Sequence, residues 1–439
     1  MEQMLSRRAM LAGTGVALAE LAVPLPLWAR TAQARLSTWQ GVRRFVADYV
    51  GSGRLAGAVA AMGLGQDEFE TIAQGARTLG KPAPVTADSL FRLYSMTKPV
   101  TGMAAMILID EGKLTLDQPL ADILPKYAKM QVQRVPDGRV DDLVPAKNPI
   151  TIRHLLTHTS GLGYSIIQRG PLKAAYTRAG LVPGSVSRLP ISQIFGAGPP
   201  APSLKAFADR LAAMPLVYQP GTRWSYSMGL DLMGRVIEVA SGQSFDVFLK
   251  ERLFDPLGMT STFFRVPARD AARLTTNYGV VEGMLLPLDP AAASIFLDQP
   301  AFPFGGSGLV GSPRDYDRFL RMLLGLGKVD GKRVMSEAAV RLGTSNLLPA
   351  GVVTKGTLAN GGGFGAGARV GLGAEAGTFG WGGAAGTIAF ADLKRGWRGG
   401  FYAQYMPVDA YPVQTDFPKV AMNDAISMNG PERPSSVRP

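Results

Sequence analysis

Ser95-Met96-Thr97-Lys98 sets a hydroxyl and an amine three residues apart, and on a helix that spacing brings the amine one turn beneath the hydroxyl. Such a pair is a nucleophile that carries its own base. Pro99 adds a geometric constraint. It has no N–H, and only the first turn of a helix can spare one, so a helix running through residues 100–109 must start close to Ser95. The positive end of that helix dipole favours a serine alkoxide and eases loss of the lysine proton. The same four residues also read as a serine N-cap followed by a solvated lysine, and a chain of this length yields the bare spacing by chance about once.

Composition narrows the alternatives. The chain has no cysteine and two histidines, His154 and His158, which excludes thiol catalysis, disulfide frameworks and zinc fingers. A Ser-His-Asp triad would have to use one of those two, and no serine sits in a Gly-x-Ser-x-Gly elbow, so lysine or tyrosine is the expected base. Histidines four apart on a helix can ligate a metal. Here no glutamate follows His154 and no third soft ligand exists, so neither metal nor cofactor is expected. The net charge of +12 comes from scattered, mostly single arginines that form no phosphate track, so nucleic acid is not an expected partner.

The N-terminal residues read as an address. Ser6-Arg7-Arg8-Ala9-Met10-Leu11 resembles a twin-arginine export signal, followed by an apolar stretch to Trp28 and a small-x-small site at Ala32-Gln33-Ala34. Residues 1–34 are therefore expected to be a signal peptide, and the expected location is the bacterial periplasm or the exterior. No later apolar run approaches the length of a membrane span, so no stable membrane insertion is expected after signal removal.

The 439-residue chain, 46% apolar, is long enough to bury a large core. Periodicity predicts a helix at 42–50, a buried strand at 56–63 paired with 69–74, the Ser95 helix ending near Gly112, a helix at 313–324, and buried strands within 379–390 and 400–406. Strands at both ends around a helical middle predict an α/β fold, an antiparallel sheet flanked by helices, built from residues 35–118 and 301–428. A mostly helical lobe at 119–300 is inserted, and a flexible tail follows at 429–439. The glycine-rich run at 360–367 lacks the lysine of a P-loop and is expected to be a flexible turn before a strand.

Two further elements can complete the chemistry. Tyr226, in Trp224-Ser225-Tyr226-Ser227, precedes a helix and can present its phenol to a cleft, although a buried structural tyrosine fits the same pattern. The small residues of Gly380-Trp381-Gly382-Gly383-Ala384-Ala385-Gly386-Thr387 let a strand's backbone approach a ligand closely, or another strand.

In this order the elements resemble the penicillin-recognising serine hydrolases, specifically the class C β-lactamase-like branch and its family VIII carboxylesterases. Leu93-Tyr94-Ser95-Met96-Thr97-Lys98-Pro99 is similar to the family's nucleophile motif. His154-Leu155-Leu156-Thr157-His158-Thr159-Ser160-Gly161-Leu162 is similar to its structural signature, and Tyr226-Ser227 with Asp231 and Gly234 to its tyrosine segment. Gly305-Gly306-Ser307-Gly308-Leu309 and Trp381-Gly382-Gly383 match two glycine-rich landmarks. The resemblance implies Ser95 as nucleophile, Lys98 and Tyr226 as general base and acid with the division open, and an oxyanion hole of the Ser95 and Ala384 backbone N–H groups. It makes Trp381, Gly382, Gly383 and Met228 substrate-binding positions, and the two histidines structural.

Departures from the family pattern indicate the substrate. The third motif usually begins with lysine, and Trp381 stands there; the tyrosine motif usually ends in asparagine, and Met228 stands there. Both replace a polar anchor with an apolar wall, which suits an uncharged small-molecule ester better than a penicillin or a peptide terminus. The other readings are a β-lactamase, a D-amino-acid peptidase or amide hydrolase of the same fold, and a non-catalytic envelope-binding module.

Overall fold

The computed structural model describes residues 38–189 and 199–429. The leader expected at 1–34 and all but the first residue of the tail expected at 429–439 lie outside the described residues. A helix α1 (Gln40–Gly51) leads into strands β1 (Gly57–Leu64) and β2 (Glu70–Gly75). Helix α2 (Thr97–Asp110) follows a single 3-10 turn at Tyr94–Met96. Helices α3 (Ile152–Leu156), α4 (Leu204–Ala212), α5 (Gly229–Ser241) and α6 (Pro313–Leu324) come next. The chain then returns to strands β3 (Gly363–Phe364), β4 (Arg369–Val370), β5 (Thr378–Gly383), β6 (Thr387–Asp392) and β7 (Trp397–Tyr402), and α7 (Val413–Asn429) closes it.

These strands form one antiparallel seven-stranded sheet in the order β3-β4-β5-β6-β7-β1-β2, so the two ends of the chain meet in its middle. Strand β1 pairs with β7 with Val59 opposite Tyr402, and with β2 with Gly57 opposite Gly75. Its residues alternate between two apolar layers. Ala58, Ala60 and Met62 pack with Val46 of α1 and Phe417 and Ala421 of α7, while Val59 and Ala61 face the main core with Met103 and Leu320. This double cover explains why β1 is an apolar run instead of an alternating one. Helix α6 begins as its sequence dictates: the Ser312 hydroxyl accepts from the Asp315 N–H at 3.1 Å, and Pro313 occupies the first turn. A buried ion pair at 2.7 Å between Arg398 of β7 and Asp317 fastens α6 to the sheet.

The middle of the chain is less helical than periodicity predicts. An antiparallel hairpin, Asn277–Val281 with Met284–Asp289, turns at Glu282 and Gly283, both with positive φ. Two residues in that conformation form the turn that matches strand twist, and Glu-Gly supplies only one glycine as a signal. The glycine-rich run also differs from expectation. Residues 362–368 are buried as the β3–β4 hairpin, with Gly102 so close to the Ala366 carbonyl that a Cβ would sit 2.1 Å from it. The glycines there serve close packing against α2, not flexibility. Among the described residues no helix is long and apolar enough to cross a membrane.

Candidate active site

Helix α2 presents the centre. Ser95 lies in the 3-10 turn just ahead of it, after Tyr94, a non-glycine residue at φ +42° whose strained backbone makes the sharp corner. Lys98 is in the first helical turn and 0% exposed. Its Nζ donates to Ser95 Oγ at 3.2 Å and to the Gly306 carbonyl at 2.7 Å. The Tyr226 hydroxyl donates to the same Ser95 Oγ at 2.7 Å, and Trp381 Nε1 donates to that phenol oxygen at 3.3 Å. Lys98 and Tyr226, from two separate stretches of chain, thus converge on one hydroxyl, and Trp381 backs the phenol. Whichever of Lys98 and Tyr226 has lost its proton can accept the serine proton through the contact already made.

The loop at 305–309 is strapped to α2 along one helix face. Thr101 Oγ1 donates to the Gly305 carbonyl at 2.7 Å, Lys98 to Gly306, and the Leu309 N–H to Thr97 Oγ1 at 3.1 Å. Behind the loop, the buried Asp231 of α5 accepts from the Gly306 N–H at 2.8 Å. A side chain on residue 306 would lie 2.5 Å from that carboxylate, so glycine is required. Burial pushes the Asp231 carboxyl up, against the pull of the Lys98 charge. Asp231 therefore fixes the peptide that fixes the lysine.

An aromatic cluster frames Tyr226. Its ring centroid is 4.7 Å from His158, 5.5 Å from Tyr164 and 5.8 Å from Trp381, and Lys98 Nζ sits 4.5 Å above it. His158 is fully buried, and burial with the nearby Lys98 charge holds it well below the usual histidine range, hence neutral. Its Nδ1 accepts from the Ser227 N–H at 3.2 Å, which leaves the proton on Nε2 and anchors the segment next to Tyr226. His154 instead caps α3, accepting from the Thr151 N–H at Nδ1 while its own N–H donates to Thr151 Oγ1. Both histidines hold backbone, and among the described residues no cluster of three His, Cys, Asp or Glu side chains could hold a metal.

The third motif lies on β5. Strand alternation turns Trp381 toward Tyr226 and turns Gly382 the other way, where a Cβ would lie 2.5 Å from Gln414. Gly382 therefore faces away from the cleft, contrary to the expectation that it contacts substrate. At Gly383 a Cβ would lie 2.2 Å from the Leu93 carbonyl, so the strand end abuts the residues that precede Ser95. Ala384 follows directly, in a turn closed by the Gly386 N–H donating to the Gly383 carbonyl at 3.2 Å. Met228 also departs from expectation: it is 0% exposed, in the main core, and presents no surface to a ligand. Its place at the N-terminus of α5, where the helix dives into the core, is the reason. The sequence reading gave no role to Gly306, Asp231, Tyr164 or Phe364, whose ring stands 5.3 Å from Trp381. The glycine-rich landmark and the Asp231 position carried the only available signal.

The β-lactamase family profile matches residues 42–416. The chain is 38% identical over 291 residues to an uncharacterized protein of Mycobacterium tuberculosis, covering 66% of this chain and 68% of that one. It is 32% identical over 283 residues to the esterase EstB of Burkholderia gladioli, covering 62% of this chain and 66% of that protein. Among solved structures it is similar to EstCE1, described as a hydrolase with promiscuous acyltransferase activity. That match has a TM-score of 0.70 and 25% identity over 90% of this chain and 99% of the other. The antiparallel sheet, the helices that flank it and the family match agree, and the chain belongs to the β-lactamase family as a serine hydrolase related to the family VIII esterases.

Proposed function

We propose that this chain is a serine carboxylesterase that cleaves uncharged acyl esters through an acyl-enzyme on Ser95. One set of contacts carries the proposal: Lys98 Nζ and the Tyr226 hydroxyl both meet Ser95 Oγ, at 3.2 and 2.7 Å. In the first half-reaction Ser95 Oγ bonds to the ester carbonyl carbon while its proton passes to the Lys98–Tyr226 pair. The backbone N–H groups of Ser95 and Ala384 donate to the oxyanion that forms. Collapse breaks the bond to the alcohol oxygen, and Tyr226 returns a proton to that oxygen as the alcohol leaves. Water then adds to the acyl carbonyl, giving its proton to the pair, and the second collapse frees the carboxylic acid and reprotonates Ser95.

Trp381 supports an ester over a lactam. Where an ammonium would hold a substrate carboxylate, an indole instead donates to the catalytic phenol. The test combines labelling and turnover. Intact-mass spectrometry after fluorophosphonate treatment should show one adduct on the wild type and none on Ser95→Ala, while 4-nitrophenyl butyrate is hydrolysed and a chromogenic cephalosporin is not. Labelling that persists in Ser95→Ala removes Ser95 as nucleophile, and cephalosporin turnover without ester turnover replaces the esterase by a β-lactamase.

A further inference from the structure

Phe264, Ile295, Phe296, Pro300, Phe304 and Gly308 make the wall of a cavity of about 280 Å³. We infer that this cavity is the acyl-chain site, selecting an uncharged, medium-length acyl group. The inference rests on ester cleavage at Ser95 and adds to it the half of the substrate that is recognised.

Two connections join the cavity to the nucleophile. The Phe296 ring meets the Tyr94 ring edge-on at 6.0 Å, and Tyr94 is the residue before Ser95. Phe304 and Gly308 bracket Gly305-Gly306-Ser307, the loop whose Gly306 carbonyl holds Lys98 at 2.7 Å. The wall therefore packs against the residue before Ser95 and flanks the loop that clamps Lys98. Gly308 belongs to this construction: a Cβ there would lie 2.8 Å from the Phe264 ring, so glycine lets that ring stand against the loop. Polar groups at the cavity are Ser185, Asp298 and Gln299, and Asp298 is engaged by Arg188 at 2.7 Å. Among the described residues that line the cavity, no unpaired charge waits for a charged ligand.

The geometry also separates the two halves of an ester. The alcohol oxygen must reach the proton donor, Tyr226, and that side of Ser95 is filled by Trp381, Trp224, Phe364 and His158. None of these residues lines the cavity. The chain that runs into it is the one left on Ser95 when the alcohol departs. Since a cavity of about 150 Å³ takes a benzene ring, 280 Å³ has room for a chain on the order of eight carbons.

The experiment measures kcat/KM for two ester series, 4-nitrophenyl esters with acyl groups of graded length and butyrate esters of graded alcohols. It uses the wild type, Ile295→Trp to fill the cavity and Phe264→Ala to open it. Both positions are half-buried wall residues with no part in the catalytic contacts. For the wild type, each added acyl methylene should raise kcat/KM by about fourfold until roughly eight carbons, where the gain ends. Ile295→Trp should lose about tenfold or more on octanoate while acetate stays within about twofold, and Phe264→Ala should move the optimum to longer chains, with the alcohol series unchanged in both. Opposite shifts from two variants distinguish a lost binding wall from a poorly folded protein. Acyl profiles that do not move, or an alcohol series that moves instead, overturn the assignment while leaving the esterase intact. A wild type inert toward every ester overturns the esterase reading and the acyl assignment with it.

Discussion

Removing one oxygen atom from Tyr226 separates a structural role from a chemical one. In Tyr226→Phe the ring keeps its neighbours, His158 at 4.7 Å, Tyr164 at 5.5 Å and Lys98 Nζ at 4.5 Å, so its packing is unaffected. The hydroxyl makes two hydrogen bonds, to Ser95 Oγ at 2.7 Å and from Trp381 Nε1 at 3.3 Å. Their loss costs the fold about 1 to 2 kcal/mol, the net worth of neutral hydrogen bonds. If the phenol relays the protons, the loss in kcat/KM is about 10⁴-fold, or about 5 kcal/mol of transition-state stabilisation. A group that only filled space would lose activity in step with stability. The assay is kcat/KM on 4-nitrophenyl butyrate beside urea unfolding of the same preparations, with Lys98→Ala and the double variant included. Because the two groups act as a unit, the double variant should lose little more than the worse single. A Tyr226→Phe enzyme within about tenfold of wild type refutes the relay and leaves Lys98 as sole base.

Gly306→Ala should lower kcat by about 100-fold with little change in KM, because its methyl would lie 2.5 Å from Asp231 and the loop must move the carbonyl that holds Lys98. Steady-state kinetics that match wild type would separate Gly306 from catalysis. Met228→Asn should destabilise the fold by about 1 to 3 kcal/mol in urea unfolding and gain no cephalosporin turnover, since the carboxamide would be buried at a position with 0% exposure. A stable variant with new cephalosporinase activity would show that position to face substrate. Burial holds His154 down to about 4, and the unfolded imidazole titrates near 6.5. Between those values the unfolded chain binds the extra proton, so this contribution is complete above pH 6.5 and is lost as pH falls toward 4, by about 3 kcal/mol. His158, also lowered, acts in the same direction. The buried Asp231, Asp315 and Asp317, whose carboxyls are raised, oppose it. The readout is therefore the difference in urea midpoint between wild type and His154→Gln from pH 7.5 to 4.5. Parallel curves for the two would refute the assignment.

The parts of the site visible in the sequence were those with local chemistry. A serine, a lysine one turn on and a proline that only a first turn tolerates locate the start of α2 to within two residues, Thr97 instead of Ser95. Tyr226 and Trp381 are found by order and resemblance; Tyr226 meets the Ser95 hydroxyl, and Trp381 meets the Tyr226 phenol. What the sequence concealed is non-local. The Lys98 clamp comes from a backbone carbonyl at Gly306, and any residue type has a carbonyl. Asp231 shows its purpose only when α5 is set behind that loop. Met228 looked like a cleft residue because family position says which residue is next in the motif and says nothing of which way a helix start turns. The Asn277–Asp289 hairpin escaped because its Pro287 and single turn glycine blur the period-two pattern.

The pairing of β1 with β7 has a consequence for the order in which the molecule can be made. Val59 emerges 343 residues ahead of its partner Tyr402. Until then β1, apolar on both faces, has one open edge, which exposes the nascent chain to aggregation and makes closure of the sheet a late event. The proposed nucleophile shares that schedule. Ser95 meets Tyr226 and, through Lys98, Gly306, while Trp381 sits on a strand joined to β1 only once β6 and β7 have followed. If Ser95 is the nucleophile, as proposed, a chain lacking β7 carries an unarmed serine, and hydrolytic competence arrives only with the strand that locks the sheet.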